Sequence, residues 1–405
     1  MTWPQNPPAA GLPPQMAHNG GYDDGHADYV LDEGEVLYGR FRVDRRIGRG
    51  SFGQVVRAWD FYEQREVAVK IIKNRPAFYR QAQYEIRLLE MMNAQDPENR
   101  YPIVRMLGYF EWKQHLCIVF ELLASSLFEL VARTHYRGVP IDLTRAIGSQ
   151  LATTLVFLAQ NPLNIIHCDL KPENVLFCRQ GHRAIKVIDF GSSCQQNAAV
   201  QTYIQSRYYR APEVLLGLPY NEKVDVWSMA CVLVEVHTGH PLFTGSSEID
   251  QMMKIIEVLG MPHYTLLDES PKTSVFFVRN DVGQYIPRQL VDKDGRPYLF
   301  DRTEITPKTA ASYWISCKEC WSTTQGCASV QNRSPSIASS SSRRSCGQVS
   351  PQVPRGGPLC KTLIPRICPI STIVVTLIIL RFLDAILLVL SQYISCPHFV
   401  LLLYY

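Results

Sequence analysis

The chain has 405 residues, 46% of them hydrophobic, with 26 prolines and a formal net charge of +4. This composition is that of a globular protein with unstructured ends, and the small, scattered charge gives no footprint for direct nucleic-acid binding. Five cysteines of the first three quarters lack the regular spacing of a disulfide framework, which favours a reducing compartment. The first residues have no basic region followed by an apolar one, so we expect no cleaved secretory signal.

Residues 1–36 are predicted to be a disordered N-terminus. Residues 1–21 are rich in proline, glycine and glutamine, and the stretch that follows, YDDGHADYVLDEGE, is acidic. We expect the folded domain to begin near Leu37. The stretches FRVDRRIGRGSFGQVVRAWD and REVAVKIIK indicate two short strands around a Gly-rich turn and then a third strand, hence a small N-terminal sheet.

The next elements are predicted helices. Phe78, Ala82, Glu85, Leu89 and Met92 follow a four-three-four-three spacing, which places them on one helical face and makes Glu85 a charged residue that points inward. Residues 143–160 form a second amphipathic pattern. The stretch VDVWSMACVLVEVHTG is apolar nearly all round, which indicates a helix buried at the centre of a larger helical lobe.

The composition changes after about residue 305. Residues 306–366 are rich in serine, proline and arginine and are predicted to be a linker, because they cannot bury enough apolar area to become ordered. Residues 367–405 form an apolar tail.

Three glycines, Gly48, Gly50 and Gly53, lie between the first two predicted strands, where bare backbone could fold over a polyphosphate. Such a pattern is often only a Gly-rich turn, and a dinucleotide site would require a helix next, whereas QVVRAWD continues as a strand. Lys70 ends the third strand, where a lysine can simply extend into solvent. Because an unpaired buried carboxylate is costly, the inward Glu85 needs a cation, and Lys70 is the nearest candidate.

Two later motifs supply the remaining groups of a phosphoryl-transfer site. In HCDLKPEN, Asp169 can accept the proton of a hydroxyl, Lys171 can offset phosphoryl charge and Asn174 can hold magnesium. In KVIDFGSSC, Asp189 can hold magnesium between phosphates while Phe190 packs inward. The stretch YYRAPEV then ends the segment that would present the substrate.

These motifs resemble those of the eukaryotic protein kinases over about residues 37–305. HCDLKPEN, DFGSSC and YIQSRYYRAPEVLLG together resemble the dual-specificity tyrosine-regulated kinases, and AVKIIKN, QAQYEIRLLE and NGGYDDGHADYV are similar to their minibrain-like branch. The last of these resembles the acidic homology box of that family. The resemblance implies an α+β two-lobed kinase fold, with a small β-rich lobe over about 37–123 and a large helical lobe over about 124–305.

The resemblance also implies an activity, its cofactors and its site residues. It implies an enzyme that uses ATP and Mg²⁺, phosphorylates Ser or Thr of protein substrates, often before proline, and autophosphorylates a tyrosine that matches Tyr203. Arg207 and Arg210 would hold that phosphate, and Ser206 would contact Asp169 and Lys171. The adenine would lie between Val55, Ala68 and Leu176, with Phe120 at the back, although core packing is the alternative for any one of these.

The remaining nucleotide contacts implied by the resemblance lie in the Gly-rich turn and in the hinge between the lobes. They are Ile47, Gly48, Gly50, Ser51, Phe52, Gly53, Glu121, Leu122 and Leu123. The family also implies a location in the nucleus and cytoplasm.

The sequence departs from the family at the end of the helical lobe. The last helices, which include an arginine that pairs with the residue matching Glu213, are not found, and the abrupt change of composition favours a replaced C-terminus. Losing one partner of a buried ion pair costs about 3–5 kcal/mol, so an incomplete helical lobe is expected. The alternative to an active kinase is therefore a truncated nucleotide-binding scaffold that lacks turnover.

A second alternative is a membrane-tethered protein whose kinase lobe is secondary. Residues 370–390 contain fifteen Leu, Ile, Val or Phe residues, against which stand Arg381 and Asp384 near the centre. On a membrane-insertion scale the favourable free energy of the apolar residues and the unfavourable free energy of these two charged residues nearly cancel. A docked or aggregating apolar segment is the other interpretation. The pair in CKEC has the spacing of half a zinc site, and no matching second pair follows.

Overall fold

The computed structural model describes residues 19–196 and 203–288. The predicted linker at 306–366, the apolar tail at 367–405 and the CKEC motif lie outside the described residues, as do residues 289–305 of the expected helical lobe. Residues 19–257 and 262–288 belong to one compact unit, and residues 258–261 are the described part of a second.

The N-terminal half of the domain is built on one antiparallel sheet. Its strand order is β1-β2-β3-β4-β6-β5. The strands are β1 (Val36–Leu37), β2 (Phe41–Arg49), β3 (Gly53–Asp60), β4 (Arg65–Ile72), β5 (Met106–Trp112) and β6 (His115–Glu121). The three strands predicted around the Gly-rich turn are thus β2, β3 and β4, and the small β-rich lobe is confirmed. One face of the sheet is apolar, with Phe41, Val56, Val69 and Val119 all buried.

Helix α1 (Pro76–Gln95) crosses this sheet and contains the predicted inward face. A proline opens the helix, where its missing N–H leaves no bond unmade. Ala82, Glu85, Leu89 and Met92 are buried as expected, while Phe78 is half-buried. The helical period therefore predicted which carboxylate enters the lobe.

The second half is mainly helical. The helices are α2 (Leu127–Arg133), α3 (Ile141–Ala159), α4 (Pro212–Leu216), α5 (Lys223–Thr238), α6 (Glu248–Leu259), α7 (Tyr264–Glu269) and α8 (Thr273–Phe276). Short strands pair as β7 (Ile165–Ile166) with β10 (Cys194–Gln195), β8 (Val175–Phe177) with β9 (Ile185–Val187), and β11 (Phe277–Arg279) with β12 (Tyr285–Pro287). Helix α5 buries ten of its 16 residues, which confirms the central helix predicted from its apolar sequence.

The expectation of disorder up to residue 36 is wrong for residues 19–36, which pack on the small lobe. Asp23 accepts hydrogen bonds from Asn74 and contacts His115 (both 2.9 Å), and Asp28 pairs with Lys73 at 2.9 Å. Tyr29 is buried in the sheet core. Composition predicted disorder because the segment is poor in apolar residues, yet its carboxylates find partners that lie far along the chain.

No helix in residues 19–196 and 203–288 is long and apolar enough to cross a membrane. The hypothesis of a membrane-tethered protein depended on residues 370–390, which lie outside these ranges.

Candidate active site

Lys70 on β4 joins two carboxylates from different parts of the fold. Its Nζ lies 2.8 and 2.9 Å from the two oxygens of Glu85 on α1, and 2.9 Å from Oδ1 of Asp189, which follows β9. Glu85 is only 2% exposed, so its charge depends on this ammonium. The structure thus confirms that Lys70 is the partner of the inward glutamate.

The charges in this triad shift the pKa values of its members. Burial alone would lower the pKa of Lys70, but the carboxylates of Asp189 and Glu85 outweigh burial and raise it. Burial would raise the pKa of Asp189, but the ammonium of Lys70 outweighs it and lowers that pKa to about 2. Lys70 and Asp189 are therefore both charged at neutral pH.

The space around two glycines near this site limits what could replace them. At Gly53, where φ is +155°, a Cβ atom would lie 2.1 Å from the carbonyl oxygen of Ile71, so a side chain cannot fit. At Gly191 a Cβ would lie 3.2 Å from Oδ1 of Asp189 and 3.3 Å from Oε2 of Glu85. In contrast, a Cβ at Gly50 would meet nothing within 4 Å, so the fold itself does not demand glycine there.

On the face of the sheet that carries Lys70, four side chains of β3, β4 and β6 are only partly buried. Antiparallel pairing sets Val55 opposite Lys70 and Phe120 opposite Ala68, and residues two apart on a strand share a face. These four side chains are half-buried, whereas their neighbours Val56, Val67, Val69 and Val119 are buried on the other face. Leu176 on β8 is also half-buried.

The loop between β7 and β8 brings the predicted catalytic residues together. Asp169 accepts hydrogen bonds from Lys171 Nζ at 2.6 Å and from Ser206 Oγ at 2.7 Å. Asn174 Nδ2 donates to the carbonyl oxygen of Asp169 at 2.8 Å. Asp189 and Cys168 both adopt left-handed backbone, with φ of 63° and 64°, a conformation that costs a non-glycine residue energy and must be held by its surroundings.

Asp189 and Asn174 can hold a magnesium ion. Oδ2 of Asp189 and Oδ1 of Asn174 accept no hydrogen bond from the described residues, and carboxylate and amide oxygens are ligands that Mg²⁺ prefers. The residues present therefore fit the metal. Apart from this pair, the described ranges contain no group of three or more His, Cys, Asp or Glu side chains that could hold a metal ion.

Comparison with known proteins agrees with this geometry. A family model for the protein kinase domain matches residues 41–293, which is more than half of the chain. The chain belongs to the protein kinase family. A protein kinase domain generally uses ATP and a divalent cation, and its substrates are proteins.

Two curated relatives show which kinases this domain is similar to. The chain is 45% identical over 269 residues to the dual specificity tyrosine-phosphorylation-regulated kinase mbk-2 of Caenorhabditis briggsae, and equally to that of Caenorhabditis elegans. Each match covers 66% of this chain and 33% of the relative. The chain therefore spans about a third of the length of these relatives, and the resemblance to their family inferred from the motifs is confirmed.

The kinase domain also contains a support that the sequence did not reveal. Asp225, buried on α5, accepts hydrogen bonds from the backbone N–H groups of His167 at 2.6 Å and Cys168 at 3.0 Å. It thereby fixes the start of the catalytic loop. The only available signal was that Asp225, like Glu235, is a carboxylate in an otherwise largely apolar helix, which by itself names no partner.

The residues predicted to form a phosphotyrosine site lie together beside the catalytic loop. The guanidinium of Arg210 lies 4.2 Å from the ring centroid of Tyr203, whose side chain is exposed. Arg210 is engaged by Glu248 at 2.9 Å and by the carbonyl oxygens of Ile204 and Gln205. Hydrogen bonding to Arg210 lowers the pKa of Tyr203.

Three further residues of the predicted turn lie beside its glycines. Ile47 and Ser51 are exposed, and the ring of Phe52 is in edge-on contact with Phe78 of α1. Leu122 and Leu123 follow β6 and are half-buried.

Glu213, at the start of α4, has a half-buried carboxylate. No hydrogen bond or ion pair joins its carboxylate to another side chain in the described part of the kinase domain, and burial raises its pKa.

Proposed function

We propose that this chain is an ATP- and Mg²⁺-dependent protein kinase that phosphorylates Ser or Thr, often before proline, and autophosphorylates Tyr203. The observation that carries the proposal is the Asp169 carboxylate, held by Lys171 and Ser206 beside the Lys70–Glu85–Asp189 triad. A carboxylate without these neighbours would only be a structural hydrogen-bond acceptor.

Each residue then has a defined part in the transfer. Asp169 accepts the proton of the substrate hydroxyl while the hydroxyl oxygen forms a bond to the γ-phosphorus of ATP. The bond between the γ-phosphorus and the bridging oxygen breaks, and ADP leaves. Lys171 and Lys70 offset the negative charge of the phosphates. Magnesium held by Asp189 and Asn174 would supply further neutralisation of that charge.

The autophosphorylation of Tyr203 is supported by the cations around it. Besides Arg210, Arg207 is anchored to the carbonyl oxygen of Ser246 at 2.8 Å, and its buried Nε has no partner among the described residues. A phosphate on Tyr203 offers the acceptor oxygens that such a spare donor needs. Preference for proline is supported only by the likeness to the tyrosine-regulated kinases.

The test uses the full chain of residues 1–405 and MgATP. Mass spectrometry should find phosphate on Tyr203 of the wild-type chain and none on Asp189→Asn. Asp189→Glu, which keeps the charge but moves the oxygens, is the matched control and should be strongly impaired. Absence of phosphate on the freshly translated wild-type chain would contradict autophosphorylation.

A nucleotide-binding scaffold without turnover is the second candidate, favoured by the half-buried carboxylate of Glu213, whose pKa burial raises despite the opposing charge of Lys223. Thermal stabilisation by MgATP without any phosphate incorporation would establish it in place of the kinase.

A further inference from the structure

Lys186 is a buried lysine that the catalytic scheme does not use. It lies on β9, is 7% exposed, and its Nζ donates to Oδ1 of Asn99 at 2.8 Å and contacts Oε1 of Glu121. A buried ammonium is costly unless it is paired and hydrogen-bonded. Its two oxygen partners meet that requirement, and both come from other parts of the fold.

Glu121 is the last residue of β6 and the first residue of the predicted hinge. The same oxygen that contacts Lys186 accepts the backbone N–H of Arg105 at 2.7 Å, and the N–H of Glu121 donates to the carbonyl oxygen of Arg105 at 3.1 Å. The side chain and the backbone of Glu121 are thus both tied down. Its carboxylate fixes the backbone from which Leu122 and Leu123 continue.

Lys186 is equally tied to the proposed floor of the adenine pocket. In the β8–β9 ladder it lies directly opposite Leu176, so the two side chains share one face of that ladder. Leu176 also bridges to Ser126, and the N–H of Ala124 donates to the carbonyl oxygen of Phe177 at 2.8 Å. A shift of Lys186 would therefore also move Leu176.

We propose that Lys186 and the carboxylate of Glu121 form a latch that sets the hinge backbone against the adenine floor, which makes Lys186 a positioning residue for nucleotide binding. This rests on the proposed use of ATP at this site. The latch joins β6 and β9 through one ion pair, in which the side chain of Lys186 is 9% exposed and that of Glu121 is 25% exposed. It acts through backbone position and does not touch the transferred phosphate.

The test compares Lys186→Met with Lys186→Arg, which restores the charge, and with Lys254→Met, the same change on α6. The first readout is the Kd of MgADP, measured by calorimetry on the full chain, because it requires no turnover. Lys186→Met should raise this Kd about tenfold, which corresponds to about 1.4 kcal/mol. Lys186→Arg should restore most of the affinity, and Lys254→Met should leave it unchanged.

The second readout is steady-state kinetics with a Ser-Pro peptide. Lys186→Met should raise KM for ATP while kcat and KM for the peptide stay within about twofold, the pattern of lost uniform binding. A fall in kcat and a rise in both KM values would show general loosening of the fold and overturn the latch. So would an unchanged Kd for MgADP in the folded variant.

Glu121→Gln keeps the shape of the side chain and gives a second, milder test if Lys186→Met does not fold. Its effect on the Kd of MgADP should not add to that of a Lys186 variant, since both remove the same pair; additive effects would contradict the latch. If MgADP binds and responds as expected but no phosphate is transferred, the proposed function fails while the latch stands.

Discussion

Lys70 is the cation on which the buried carboxylate of Glu85 depends. Lys70→Met leaves that carboxylate without a cation, which should destabilise the domain by about 3–5 kcal/mol. Urea unfolding of the full chain measures this. The double variant Lys70→Met/Glu85→Leu should recover much of the loss, because it removes the deeply buried carboxylate with its cation and leaves only Asp189, whose side chain is 32% exposed. A double variant less stable than Lys70→Met would show that burial of Glu85 is not the cause.

Glu235 on α5 gives a pH-dependent prediction. Burial raises its pKa to about 7, despite the hydrogen bond that Tyr209 Oη donates to it at 2.7 Å. A carboxyl group whose pKa is higher in the folded state binds more protons there, so its contribution to stability is lost as pH rises from about 4.5 to 7, by at most about 3 kcal/mol.

Glu235→Gln mimics the protonated side chain and should therefore flatten the dependence of unfolding free energy on pH between 5 and 7. The exposed Glu269→Gln on α7 is the matched control, and it should leave the dependence as it is in the wild type. Equal curves for the wild type and Glu235→Gln would contradict a raised pKa.

The site residues that the sequence predicts correctly belong to a short motif or to one face of a helical period. The inward Glu85, its partner Lys70 and the cluster around Asp169 follow from such local patterns. Asp225 and His167, which are 58 residues apart, and Lys186 and Glu121, which are 65 apart, meet only through the fold. No spacing rule connects pairs of this kind.

At the scale of elements, α2 has a complete capping box. Ser126 Oγ accepts the N–H of Glu129 at 3.1 Å, and the Glu129 carboxylate accepts the N–H of Ser126 at 3.0 Å. Ser126→Ala should cost about 1 kcal/mol in unfolding free energy, because the N–H of Glu129 loses its acceptor. Ser149→Ala, an exposed change inside α3, should cost nothing; equal costs for both variants would show that the cap is not the cause.

The elements themselves were predicted unevenly. The strands around the Gly-rich turn and α1 follow from periodicity, since their side chains alternate between core and solvent in regular steps. The buried α5 follows from a sequence that is apolar nearly all round. Residues 19–36 were missed because their order depends on ion pairs and hydrogen bonds, such as Asp28 with Lys73. Hydrophobic content alone gives no information about such contacts.

At the scale of the whole molecule, the two lobes meet at the proposed nucleotide site. Lys70 from the sheet contacts Asp189 from the helical half, and Lys186 from the helical half contacts Glu121 from the sheet. One pair lies at the proposed phosphate end and the other at the hinge. The relative position of sheet and helices at this site is therefore held by charge at both ends.

The measurement that tests the account most directly is transfer of phosphate from ATP to a Ser-Pro peptide by the full chain and by Asp169→Asn. We predict turnover by the wild type, a loss of at least about 100-fold in kcat for the variant, and equal thermal stabilisation of both by MgATP. A wild-type chain that MgATP stabilises but that transfers no phosphate, or an Asp169→Asn variant with undiminished kcat, would contradict the account.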